Sequence, residues 1–195
     1  ASPTGTRVRF RDIERLHAGL PEHVLLVLDG AYAEYAEGER DYNAGLALAH
    51  EAPNVLTTRT FSKIYGLAAL RIGWGYAAAP VADAMNRIRL PFNVPAPSQA
   101  AALAALDDES FLETSRAQAR EGRRTLARLL AGLGFDVIAP SANFVTARVP
   151  KAWRLDASAI ERALAARGVL VRGLATYRMA DALRITVGTE AEIAA

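Results

Sequence analysis

The sequence predicts an α/β fold: part of a larger domain with a mainly parallel sheet and flanking helices, followed by a small α+β unit. Three observations carry this. "VLLVLDG", residues 24–30, is a continuous apolar run, suited to a strand buried on both faces. Helical and strand patterns alternate along the first half of the chain, as a parallel α/β layer requires. Beyond Pro91 two helices follow one another before short strands return, which marks a change of layer.

Each element can be justified in order. Residues 9–19 have an amphipathic helical pattern ended by Gly19 and Pro21. After the first strand, "NVLTTRTF" (54–61) and "LRIGWGYAAA" (70–79) read as the second and third. "VADAMNRIRL" (81–90) is a helix that stops before Pro91, because the residue preceding a proline is pushed out of the helical region. Residues 96–107 and 109–132 read as two helices, the second long and charged and closed by "GLGF". "FDVIAP", "NFVTARV", a helix over 156–166, "GVLVRGL" and "ALRITVG" complete the smaller unit. The expected division is 1–95 for the large-domain part, 96–132 for connecting helices and 133–195 for the small domain. The chain opens on "ASPTGTR", a turn-forming cluster without an initiator methionine, and stops at "TEAEIAA", a helix start with no cap after it. It therefore reads as a segment of something longer.

Composition narrows the class. With 195 residues, 51% of them hydrophobic and 23% charged, the chain buries a real core. The net charge of +2 leaves no broad electrostatic footprint for nucleic acid. The absence of cysteine removes any disulfide framework or thiolate metal site and fits a reducing compartment, with the cytoplasm as default. No long uncharged apolar run suits a bilayer and no signal-peptide pattern is present, so a soluble protein is expected. His17, His23 and His50 lack metal-ligand spacing and read as surface residues, so no metal is expected.

The chemistry is sought at strand ends, because open α/β sheets bind ligands beyond the carboxyl ends of their strands. Asp29 holds that position after "VLLVL"; taken alone it reads as a turn or helix cap. Tyr32 and Tyr35 follow at three-residue steps and alone would be packing tyrosines. Lys63 changes the weighing. It is one of two lysines, with Lys151, in a chain whose other basic side chains are arginines and three histidines. It ends "TFSK" and precedes the apolar "IYGLAAL", surroundings expected to desolvate an amine and make it a Schiff-base former. Thr60 and Ser62 offer hydroxyls beside it and Arg71 a guanidinium, a set suited to one phosphate. Amine, acid and phosphate cradle together are what pyridoxal 5'-phosphate requires.

The segments "SPTGT", "LDGAYAEY", "TRTFSKIYGLAALRIGWG" and "ALRITVGT" closely resemble, in order, the fold-type I pyridoxal-phosphate aminotransferases, and most of all their histidinol-phosphate branch. The resemblance runs over essentially the whole chain. It implies that Lys63 holds the cofactor aldehyde and then moves the substrate α-proton. It implies that Asp29 pairs with the pyridine nitrogen and that Tyr32 hydrogen-bonds the phenolic oxygen. Thr60, Ser62 and Arg71 match the phosphate-binding group, and Arg184 matches the arginine that grips a substrate carboxylate, for which a planar fork is suited. Arg172 sits where the family often has a second arginine near the substrate's phosphate end, and Asn143 falls at a position near the substrate. Their bland readings are a solvated strand-end arginine and a turn residue.

The implied reaction is transamination of histidinol phosphate with 2-oxoglutarate, in histidine biosynthesis, by a protein that is a homodimer at full length. Two departures bear on it. The family places asparagine before "PTGT", where its amide helps hold the phenolic oxygen; Ser2 stands there and supplies a shorter hydroxyl. The upstream half of a family enzyme, with its phosphate loop, its ring-stacking aromatic and the residues that reach the partner subunit, has no counterpart in the sequence. Threonine-phosphate decarboxylases and aromatic amino-acid aminotransferases share the motifs. A non-enzymatic reading, an inactive truncated fragment, stands beside them.

Overall fold

The computed structural model describes residues 2–194. The chain divides into two compact units, one of residues 8–115, the other combining the residues up to Arg7 with 116–195. These limits differ from the expected ones at both ends: the opening segment belongs with the C-terminal unit, and the second division falls inside a long helix.

In the unit 8–115, the elements are α1 (Phe10–Ala18), β1 (Leu26–Asp29), the short α2 (Ala33–Ala36) and α3 (Leu46–Glu51), β2 (Val55–Thr60), β3 (Gly73–Ala77), α4 (Ala79–Ile88) and α5 (Ala96–Asp107). The sheet order is β1-β2-β3. β1 and β2 are parallel, in register from Leu26 against Val55 to Asp29 against Thr58. The α3 helix lies between them in sequence, and its Ala49 packs with Ala52 and Val55 against Leu26, Leu28 and Leu48. β3 runs antiparallel to β2, from Leu56 against Ala77 to Thr60 against Gly73, within a sheet expected to be mainly parallel. The connection between them contains only a 3-10 turn, Ala68–Leu70, and no helix to carry the chain back for a parallel pairing.

A second difference concerns β1. The apolar run suggests burial on both faces, yet burial alternates along the strand and Val27 is 51% exposed. The reason is coverage: among the described residues β1 has one sheet neighbour, and its Leu26 and Leu28 face alone meets the α3 core.

The other unit holds β4 (Asp136–Ile138), β5 (Phe144–Arg148), α7 (Ala157–Ala165), β6 (Arg172–Leu174), β7 (Met179–Thr186) and α8 (Glu190–Ala194), with most of α6 (Glu109–Gly132). Its sheet order is β4-β5-β7-β6 and every pairing is antiparallel. Period-2 alternation gives this sheet two different faces. Val145 and Ala147 pack under Leu126 and Leu130 of α6, with Ile185 beside them, while Leu183 meets Ala157 and Ile160 of α7. The opposite face carries Phe144, Thr146, Arg184 and Arg172.

The opening segment is stitched onto β5 and the residues just before it. Thr146 Oγ1 donates to the Pro3 carbonyl at 2.7 Å, the Ser141 amide donates to the Gly5 carbonyl at 2.7 Å, and Arg7 Nη1 donates to Ser141 Oγ at 3.2 Å. Gly5 has a φ of +76°, and a Cβ there would stand 3.2 Å from the Phe144 ring. These bonds explain why residues 2–7 belong with the C-terminal unit.

Helix α7 begins on Asp156, whose carboxylate accepts from the Ala159 amide at 2.7 Å. Asp156→Ala is expected to lower the stability of this unit by about 1 kcal/mol, read as a lower thermal midpoint.

Candidate active site

The site residues of the unit 8–115 lie at and after the carboxyl ends of β1 and β2. Asp29 is the last residue of β1, and its carboxylate accepts from the Ala31 amide at 3.0 Å, forming a side-chain turn that leads into Tyr32 at the head of α2. Thr60 is the last residue of β2, and its hydroxyl accepts from the Ser62 amide at 3.0 Å. Beyond it Phe61 and Ile64 are buried at 4% and 2% exposure and pin the turn, leaving Lys63 to point outward. Lys63 is exposed, so the apolar, desolvating surroundings expected from "IYGLAAL" are not supplied by these residues: the apolar side chains turn inward and the amine does not follow them.

The structure nevertheless brings the amine to the tyrosine. Lys63 Nζ lies 5.5 Å from the centre of the Tyr32 ring. Arg71 Nη1 donates to Ser62 Oγ at 3.2 Å and to the Ala68 carbonyl at 2.8 Å. Arg71 adopts φ +50°, ψ +46°, a left-handed conformation unusual for a residue with a side chain, immediately after the 3-10 turn. Such a conformation costs on the order of 1 kcal/mol and tends to persist at ligand sites. Here it returns the guanidinium to the hydroxyl next to Lys63.

In the other unit, Arg184 Nη1 donates to Ser2 Oγ at 2.9 Å, and its guanidinium carbon stands 4.8 Å from the Phe144 ring centre. Arg172 is the cross-strand partner of Arg184, and its guanidinium lies 5.5 Å from the Tyr177 ring centre. Like charges directly opposite each other destabilise a sheet unless something compensates them. Here each guanidinium is backed by an aromatic ring, Arg172 by Tyr177 and Arg184 by Phe144. The motifs gave no hint of the pairing, which is made by the register of β6 against β7, with its shift between Gly173 and Leu174. Asn143 precedes β5, and its carbonyl accepts from the Val187 amide at 2.9 Å.

Two of the histidines are held by neighbours: His17 Nε2 pairs with Asn54 Oδ1 at 2.9 Å and His50 Nδ1 with the Tyr76 hydroxyl at 2.6 Å. His17 is half-buried, unlike the expected surface residue, because it packs back toward Asn54. Among the described residues no His, Asp and Glu cluster suits a metal ion, and no helix is long and apolar enough to cross a membrane.

A lysine, a carboxylate and a hydroxyl–guanidinium pair thus gather at and after the ends of the parallel strands β1 and β2, where α/β proteins bind their ligands. The chain belongs to the aminotransferase class I and II family, whose model matches residues 1–195. It is 49% identical over 189 residues to a histidinol-phosphate aminotransferase of Rhodopseudomonas palustris (strain BisB18), covering 97% of this chain and 52% of that protein. To the histidinol-phosphate aminotransferase of Dinoroseobacter shibae it is 50% identical over 187 residues, covering 96% of this chain and 50% of that one. The crystal structure of the Sinorhizobium meliloti histidinol-phosphate aminotransferase in complex with pyridoxal-5'-phosphate superposes with a TM-score of 0.87 at 33% identity, over 99% of this chain and 52% of that one. The chain thus spans about half the length of these relatives, and its α/β architecture is that of the fold-type I aminotransferases.

Proposed function

We propose that this chain carries the lysine-bearing half of a pyridoxal-phosphate aminotransferase that acts on histidinol phosphate, with 2-oxoglutarate and glutamate as the second couple. One observation carries it: Lys63 reaches the Tyr32 ring while Ser62 and Arg71 join hydroxyl to guanidinium next to it. The donor set fits the cofactor. Arg71, Ser62 and Thr60 would hold its phosphate, the Asp29 carboxylate its ring nitrogen, the Tyr32 hydroxyl its phenolic oxygen and Lys63 its aldehyde. When bound, pyridoxal phosphate supplies that aldehyde and the electron sink that stabilises carbanion character at the substrate α-carbon.

The chain's own residues do the rest. Lys63 Nζ, as a free amine, would be the base that takes the substrate α-proton and carries it away from the α-carbon. Arg184 binds the carboxylate of glutamate, and histidinol phosphate, which has no carboxylate, presents its phosphate to Arg184 and Arg172 instead. The cross-strand arginine pair supports this dual use, because a phosphate dianion compensates two guanidinium groups where a carboxylate compensates one. Asn143 lies near the substrate and Ser2 adds its hydroxyl to the cofactor side. The whole protein works as a cytoplasmic homodimer.

The names of the relatives favour histidinol phosphate over the donors of the threonine-phosphate decarboxylases and aromatic aminotransferases. A second reading rests on the exposure of Lys63 and the half-length match: alone, this chain binds the cofactor without turnover.

The test is borohydride reduction after incubation with pyridoxal phosphate, followed by peptide mapping. Label on Lys63 in excess over Lys151 is the expected result; equal or absent label in a folded sample contradicts the reading. Arg172→Ala is expected to weaken inorganic phosphate binding about tenfold by isothermal titration, the loss of one charge-assisted contact, and to leave acetate binding nearly unchanged.

A further inference from the structure

Arg59 on β2, a buried cation with no part in the reaction proposed above, contacts α2, passes the Gly30 position after Asp29 and faces Trp74 of β3. Its side chain is 8% exposed and its Nε lies 3.6 Å from Oε1 of Glu34 on α2, which is 12% exposed. Nη1 donates to Thr57 Oγ1 at 3.1 Å and to the Thr58 carbonyl at 3.0 Å, and Nη2 donates to the Ala44 carbonyl at 3.4 Å. The guanidinium carbon stands 5.6 Å from the Trp74 ring centre on β3. It runs beneath the turn that follows Asp29. A Cβ on Gly30 would come 1.9 Å from Nη1, so the absence of a side chain there is what lets the guanidinium pass. The Gly30 amide donates in turn to the same Thr58 carbonyl at 3.0 Å.

The fork therefore joins the Asp29–Tyr32 turn and α2 on one side to the end of β2, which leads to Thr60, Ser62 and Lys63, on the other. β3, which follows Arg71, is its third wall. We propose that Arg59 is a positioning residue: with Glu34 it fixes the Asp29–Tyr32 turn against the Lys63 turn and so sets the approach of the amine to the cofactor aldehyde. This rests on the pyridoxal-phosphate reading of the same site. A fork is required, because three oxygens from two segments and a carboxylate are served at once; a lysine keeps the charge and loses the geometry. Glu34 is required because a buried guanidinium without its carboxylate is left uncompensated.

The experiment compares the wild-type chain with Arg59→Lys, Arg59→Met and Glu34→Gln, and with Val55→Ala, a cavity in the same sheet, as a control for lost stability. Each is incubated with pyridoxal phosphate well below its thermal midpoint, reduced with borohydride and mapped for the ratio of label on Lys63 to label on Lys151. The ratio is expected to fall about tenfold in both Arg59 variants and to fall in Glu34→Gln, a modest displacement of reacting groups being enough for such a loss. Val55→Ala is expected to keep it. An undiminished ratio in Arg59→Lys, or an equal fall in Val55→Ala, overturns the positioning role while leaving the cofactor reading intact. No preference for Lys63 in the wild-type chain overturns both. Should Arg59→Met not fold, Arg59→Lys and Glu34→Gln decide between the same outcomes.

Discussion

Lys63→Ala is expected to abolish the borohydride-fixed label at this position and leave only a background on Lys151. The expected loss is complete, because Lys63 is the one lysine of the unit 8–115, and its removal leaves that unit without a side-chain amine. Stability is expected to stay within about 0.5 kcal/mol of wild type, since Lys63 is exposed and its turn is pinned by Phe61 and Ile64. Lys63→Arg answers why a lysine stands among so many arginines. Arginine keeps the charge over the Tyr32 ring, but it stays protonated at any accessible pH and offers no nucleophilic nitrogen. It is expected to be as silent toward borohydride as alanine, with pyridoxal phosphate still retained non-covalently by Arg71 and Ser62. Normal cofactor absorbance and fixed label in either variant would remove the central claim.

What the sequence discloses about this fold follows from how local each signal is. α5 and α6 match the expected 96–107 and 109–132 because propensity and capping act within a turn or two. Asp29 stands at a strand end because a polar residue after an apolar β-type run is itself the end of the run, whereas β2 is polar from Thr57 on and ends at Thr60, one residue before the expected Phe61. α2 and α3 leave too short a pattern to be read, at four and six residues. The burial of β1 depends on which neighbours cover it, and an apolar run says only what it tolerates. The direction of β3 depends on what residues 61–72 do, and they make a 3-10 turn instead of a helix. The site divides in the same way. Lys63, Ser62 and Arg71 lie within one segment, and its motif exposes their proximity. The Arg59 clamp and the Arg172–Arg184 pair are made by segments distant in sequence or by strand register, so no local pattern announces them.

Arg184→Ala is the variant expected to act most strongly on the substrate side. The guanidinium sits above Phe144, is oriented by Ser2 Oγ, and has Thr146 and Arg172 as its neighbours across the sheet. Removing it takes away a bidentate, charge-assisted contact, which at about 1.5–3 kcal/mol corresponds to roughly ten- to a hundredfold in affinity. Glutamate and inorganic phosphate are both expected to bind that much more weakly in isothermal titration, while retention of pyridoxal phosphate, which rests chiefly on Arg71, Ser62 and Asp29, stays within about twofold. Ser2→Ala separates position from charge: it leaves the guanidinium in place over Phe144 without its hydroxyl tether, and a loss of about 1 kcal/mol or less is expected for the same two anions. The pattern of losses assigns the arginine. Equal weakening of glutamate and phosphate means that one guanidinium serves both halves of the reaction. Weakening of glutamate alone assigns phosphate to Arg172, and unchanged affinity for both contradicts the role of Arg184 outright.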